Sequence, residues 1–231
     1  MMRLLTVVAM LGLLTFSVVP AMADPWEEGG GRVGASGNAD NFSWTNGGDL
    51  NDLFGSPFLA GDTFLFTTQF LAQSAGDESV LVSDTVSVDV LADDGMYFTG
   101  LTVTAFGTYN ITAPGGVDVN ASTLARELGG LEREWVGPLE TDPEFPIDLT
   151  SGSANGSWDG DAVVDIESVF PEPFNHIHIE VSNELIAFST ESGTASINAQ
   201  FADLQIELLV VPEPVSLSFL ALGGLVLLRR R

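Results

Sequence analysis

Two short stretches of this chain place side chains where they can do chemistry. His176-Ile177-His178-Ile179-Glu180 contains both histidines of the sequence. In an extended strand alternate side chains share a face, so His176, His178 and Glu180 point the same way. Three nitrogen and oxygen donors on one face are a ligand set for zinc or a similar metal. The competing reading, and the favoured one, is a solvated strand face opposite buried isoleucines. Asn155-Gly156-Ser157-Trp158-Asp159-Gly160-Asp161 follows the rhythm of a calcium loop, with oxygen donors at alternate positions and glycine sixth. The twelfth position is Ile166, and Glu167 falls one residue late. Asp159, Asp161, Asp165 and Glu167 can still gather a hard cation, calcium first; a polar turn between strands is the alternative.

Other chemistries are excluded or unsupported. The chain has no cysteine, hence no disulfide, thiolate metal site or cysteine nucleophile. All seven of its basic residues are arginine, against 32 acids, for a net charge of -25. Nucleic acid is therefore not a partner, because phosphate binding needs clustered cations. No Gly-x-Ser-x-Gly, phosphate-cradling glycine loop or Ser-x-x-Lys occurs. The histidine spacing resembles the start of the cupin metal pattern, but Ser182 and Asn183 stand where its glutamate belongs, and Glu184 comes one residue late. Asn41, Asn110, Asn120 and Asn155 head glycosylation-type sequons, read as accidental. Trp26, Trp44, Trp135 and Trp158 are either core or a sugar-stacking platform; Trp135 and Trp158, in turn-rich sequence, are the ones placed for exposure.

The elements that must carry these residues are short strands. Thr63–Phe70, Leu81–Leu91 and Tyr97–Tyr109 alternate apolar and polar residues, with Gly107 marking a bulge and Asp93-Asp94-Gly95 and Pro114-Gly115-Gly116 making turns. Further strands are expected at Ala162–Phe170, His176–Val181, Leu185–Ser189, Thr194–Phe201 and Leu204–Val211. The pattern predicts an all-β domain, an antiparallel β-sandwich or jelly roll, over residues 41–211. Ser122–Leu131 alone reads as a helix, capped by Ser122 and ended by Gly129-Gly130. Residues 126–150 read as a long surface excursion, and 24–40, with Gly29-Gly30-Gly31, as a flexible leader.

The two ends read as addresses. Met1-Met2-Arg3, the apolar run Leu4–Val19, Pro20 and Ala21-Met22-Ala23 make residues 1–23 a secretory signal peptide cut after Ala23. At the other end Pro212-Glu213-Pro214 precedes the uncharged stretch Val215–Leu228 and then Arg229-Arg230-Arg231. That stretch is shorter than the roughly 20 apolar residues of a membrane span, so it suits a transient inner-membrane anchor with its arginines in the cytoplasm. Between the ends only Arg32, Arg126 and Arg133 face all the acids but Glu213. Such a surface suits a salty exterior and divalent cations.

Residues 212–231 resemble the PEP-CTERM sorting signal, through Pro212, Glu213, Pro214, the apolar segment and Arg229, Arg230 and Arg231. The resemblance implies an exosortase-type sorting enzyme and the export machinery as partners. It also implies processing near the motif and release to the surface or exopolysaccharide matrix of a Gram-negative type of bacterium. Since such tails sit on unrelated domains, it implies no activity. The expected function is that of a non-enzymatic surface or matrix protein, binding polysaccharide or divalent cations. The alternative is a secreted metal-dependent enzyme using the His176/His178 face.

Overall fold

Alternation of buried and exposed side chains runs through nearly every segment of this chain, and it builds strands. The computed structural model describes residues 23–170 and 172–210; the signal peptide up to Met22 and the Pro-Glu-Pro tail lie outside the described residues. In chain order the strands are β1 (Asp24–Pro25), β2 (Gly37–Asn38), β3 (Phe42–Asp49), β4 (Phe58–Ala60), β5 (Thr63–Ala75), β6 (Glu78–Ala92), β7 (Met96–Thr112), β8 (Gly115–Glu127) and β9 (Glu134–Pro138). They continue with β10 (Glu140–Asp142), β11 (Ile147–Leu149), β12 (Ser153–Asp165), β13 (His176–Ser189) and β14 (Thr194–Val210), with one helical turn, α1 (Ile166–Val169), after β12.

The strands form a two-sheet antiparallel sandwich. The first sheet runs β1-β3-β6-β13-β8-β11, with β2 added to β3 and β9 to β8; the second runs β10-β12-β7-β14-β5-β4. Successive long strands change sheets, so each contributes one face to the layer between them. Phe42, Phe64, Phe66, Phe70, Leu101, Ile111, Trp158, Ile177, Ile179 and Leu185 are fully buried there. Each such side chain contributes about 1.5–3 kcal/mol relative to exposure. Among the described residues no helix is long and apolar enough to cross a membrane.

Three expectations need correction. Residues 24–40 are no flexible leader: Trp26 is 4% exposed and packs 5.5 Å from Phe64 and 5.7 Å from Phe66. Its amide donates to the Gly47 carbonyl, and Gly47 is needed because a Cβ there would meet the Trp26 ring at 2.4 Å. The folded domain therefore starts at Asp24, where β1 pairs with β3, rather than at residue 41. Ser122–Leu131 is no helix. Val117, Val119, Thr123, Ala125 and Glu127 face inward at a period of two, and β13 pairs with β8 from Gly115 to Glu127. That cross-strand pairing overrides a local helix signal of two turns. Residues 126–150 carry β9 on the first sheet, β10 on the second and β11 back on the first, so this segment laces the sandwich's edge.

Strand divisions also shift. His176–Val181 and Leu185–Ser189 merge into β13, and Thr194–Phe201 and Leu204–Val211 merge into β14 as far as Val210. Ala162–Phe170 splits at Asp165, whose side chain accepts from the Ser168 amide and starts α1.

Two buried carboxylates organise the segment that follows β3. Asp84 Oδ1 accepts from the amides of Leu50, Asn51 and Thr85, and its Oδ2 from Leu53. Asp49 Oδ2 accepts from Phe54 and Gly55, which seats Phe54 against Phe66 and Phe70. Burial pushes the Asp49 carboxyl from 3.8 up to about 6, with the Gly55 N–H opposing and the neighbouring Asp84 adding to the rise. A folded-state value above the unfolded one means that this group's stabilisation is complete below the unfolded value and is lost as pH rises through about 6. The thermal midpoint is expected to fall by several degrees between about pH 5 and about pH 7.5. Asp49→Asn keeps an acceptor for Phe54 and Gly55 and is expected to remove most of that fall. Equal falls in both proteins, measured by thermal unfolding at matched ionic strength, would refute this.

Candidate functional site

The histidine face forms as expected, yet it is committed elsewhere. His176, His178 and Glu180 share the outer face of the first sheet, with Ile177 and Ile179 buried behind them. Register places Asp89 of β6 opposite His178. His178 Nδ1 stands 2.5 Å from Asp89 Oδ1, and Nε2 stands 2.8 Å from Glu180 Oε1. Asn46 donates to the other Asp89 oxygen. Both ring nitrogens are thus taken by protein partners, and neither is free to coordinate a metal.

Asn155–Asp161 is not a loop but the middle of β12, paired residue by residue with β7. Strand geometry separates alternate side chains by roughly 7 Å, so Asp159, Asp161 and Asp165 cannot close on one ion as loop residues would. Asp165 caps α1 and Glu167 lies in its first turn. Among the described residues no group of three His, Asp or Glu side chains is arranged to hold a metal ion. The acids form a rim instead: Glu140 stands opposite Asp161, and Asp142 opposite Asp159, all exposed.

The tryptophans belong largely to the interior. Trp26, Trp44 and Trp158 are buried, and Trp135 is partly covered. Among the described residues the exposed aromatics are Phe106 of β7 and Phe201 of β14, on the outer face of the second sheet. Their rings stack at 5.1 Å and 25°, and they remain 43% and 41% exposed.

A bulge creates that pair. Ala195, Ile197 and Ala199 face inward, so strict alternation would bury Phe201 as well. Ala199 pairs with Gly107 but Phe201 pairs with Phe106, so β14 carries one residue, Gln200, more than β7 does. The extra residue turns Phe201 outward, after which Ala202, Leu204 and Ile206 resume the inward face. Gly107 marks the place, although the inserted residue lies in the neighbouring strand. The Trp158 indole crosses Gly107 to donate to the Asn198 carbonyl at 2.9 Å, and a Cβ on Gly107 would come within 1.8 Å of that oxygen. Thr68 Oγ1 donates to the Ala199 carbonyl at 2.7 Å and completes the bulge's hydrogen bonds.

Sequence reasoning missed both phenylalanines. Phe106 was readable, because Leu101, Val103 and Ala105 facing inward leave position 106 outside. Phe201 was not, because the inserted residue reverses the parity of its strand.

No protein-family model matches the sequence, and no curated protein matches it significantly. Among solved structures, one of the infectious bursal disease virus Gx strain is similar at 10% identity over 71% of this chain, with a TM-score of 0.26. This chain spans 44% of that viral chain. TmCBM61 in complex with β-1,4-galactotriose is similar at 14% identity over 63% of this chain and 83% of its own, TM-score 0.20. The winged bean acidic lectin complexed with methyl-α-D-galactose is similar at 10% identity over 79% of this chain and 96% of its own, TM-score 0.23. Likenesses this slight say nothing about function.

Like charges directly opposite each other across strands destabilise a sheet. Asp159→Asn is therefore expected to raise unfolding stability by about 0.2–1 kcal/mol, equally with and without calcium at matched ionic strength. Denaturant titration checks this, and a loss of stability seen only with calcium present would restore an ion site at Asp159.

Proposed function

We propose that this chain is an exported, non-enzymatic protein of the cell surface or exopolysaccharide matrix, which binds neutral polysaccharide on the outer face around Phe106 and Phe201. The observation that carries this reading is the bulge that turns Phe201 out of the core to stack on Phe106. An apolar side chain moved from core to solvent forgoes its burial energy, which argues for use at the surface. Aromatic faces pack on the C–H faces of sugar rings, and hydroxyl and amide side chains serve sugar hydroxyls. Thr104, Thr108, Asn110, Ser157, Ser196 and Asn198 stand on the same face around the pair. The acidic rim at Glu140, Asp142, Asp159 and Asp161 repels polyanions, so a neutral polymer is favoured. Both His178 nitrogens are held by carboxylates, which supports the non-enzymatic reading over the metal-enzyme one.

Export rests on the signal peptide and sorting on the Pro212-Glu213-Pro214 tail with its exosortase resemblance. A cut close to that motif would leave β14, which ends at Val210, whole. Mass spectrometry of the exported form is expected to find a chain starting at Asp24 and lacking Arg229-Arg230-Arg231. Recovery outside the cell of chains still carrying those arginines would overturn the sorting reading.

For binding, affinity electrophoresis through gels containing neutral glucans or mannans is expected to retard the wild-type protein. The pair Phe106→Ala, Phe201→Ala is expected to lose that retardation while losing no more than the ~0.5–1.5 kcal/mol of an aromatic pair in stability. Equal retardation of wild type and variant would sink the assignment of this face.

A further inference from the structure

We infer that the site extends from the phenylalanine pair along the strands into an amide-lined groove, and that its ligand is the interior of a neutral, extended polysaccharide chain rather than a single sugar. This rests on the polysaccharide reading above and deepens it. Beside the pair, a shallow groove of about 340 Å³ is lined by Leu71, Thr108, Asn110, Asn155, Ser196 and Asn198. Four strands supply it. Asn155 stands opposite Asn110, Asn110 opposite Ser196, and Asn198 between Thr108 and Leu71 in register. Asn110 lies four residues beyond Phe106 on β7, so rings and amides are separated by ~13 Å along one strand. A single sugar cannot touch both, whereas a chain lying along the strands can.

The amides have the character of a binding surface. Asn198 Oδ1 accepts from both the amide (2.9 Å) and the hydroxyl (3.1 Å) of Thr108. Its carboxamide is thereby held in one orientation with the oxygen used internally and the Nδ2 hydrogens left to donate outward. Asn110 and Asn155, both exposed, add donors and acceptors of either kind. Fixed donors next to an apolar stacking surface are what a polyhydroxylated ligand requires. No charged side chain lines the groove, and Asp159, four residues beyond Asn155 on β12 and opposite Phe106, begins the acidic rim, which selects against uronic-acid polymers. Rings and amides set in line along one strand direction match an extended chain better than a helical one.

The test is calorimetric titration of the full-length chain with cello-oligosaccharides and manno-oligosaccharides of increasing length, with malto-oligosaccharides and oligouronates as comparison ligands. Affinity for the extended neutral series is expected to climb at least tenfold from disaccharide to hexasaccharide. Asn110→Ala with Asn155→Ala is expected to erase that climb while leaving disaccharide binding and the melting midpoint unchanged. Phe106→Ala with Phe201→Ala is expected to abolish binding of every length. Binding that needs the phenylalanines but is indifferent to length and to the asparagines would overturn the groove while leaving the polysaccharide reading intact. No binding of any oligosaccharide or of the parent polymers would overturn both. Tighter binding of oligouronates, or self-association that the phenylalanine variant abolishes, would likewise overturn the neutral-chain assignment.

Discussion

The second sheet depends on β14 lying between β5 and β7. Without it, β4 and β5 have no hydrogen-bonded connection to β7, β12 and β10, and the inner layer loses Ile197, Leu204 and Ile206. The pairing is also far apart in sequence, since Thr63 meets Gln205. Loop-closure entropy of that size must be met before the contacts form, which slows folding relative to a sheet of local hairpins. The first sheet has the same character, because β13 sits between β6 and β8.

This tightly determined centre makes a local irregularity possible. One residue more in β14 than in β7 would ordinarily invite a register slip. The Trp158 indole, drawn across Gly107 to the Asn198 carbonyl, and the Thr68 hydroxyl on the Ala199 carbonyl hold the inserted residue at a single position. Side chains on the inside therefore fix a feature whose effect appears on the outside, where Phe201 emerges. From Thr194 to Ala199 the register of β14 with both β5 and β7 is unbroken, which keeps the asparagine and threonine columns in line beside it.

Much of the fold was legible because a strand with one buried face writes its period directly into the sequence. Val86, Val88 and Val90 of β6, and Leu101, Val103 and Ala105 of β7, are all buried as their alternation requires. The misread segments are those in which a distant partner decides. Glycines at 29–31 look flexible until Trp26 is seen to insert between Phe64 and Phe66. Ser122–Leu131 looks helical until β13 offers a full ladder. Asp159-Gly160-Asp161 looks like a turn until β7 and β10 take its two edges. The histidine face was placed correctly, but His178's partners could not be foreseen, because Asp89 lies 89 positions away and meets it only through sheet register. Phe201 required knowledge of an inserted residue that leaves no mark in its own strand.

The short strand β10 closes one side of the second sheet with Glu140 and Asp142, each facing an aspartate of β12. Within one molecule that arrangement costs stability. Between molecules it acts in the opposite sense. An open sheet edge is a template on which another copy can add strand by strand, and a row of like charges there makes such addition unfavourable. The edge of the second sheet thereby resists strand addition by a second copy, while the outer face around Phe106 and Phe201 stays free.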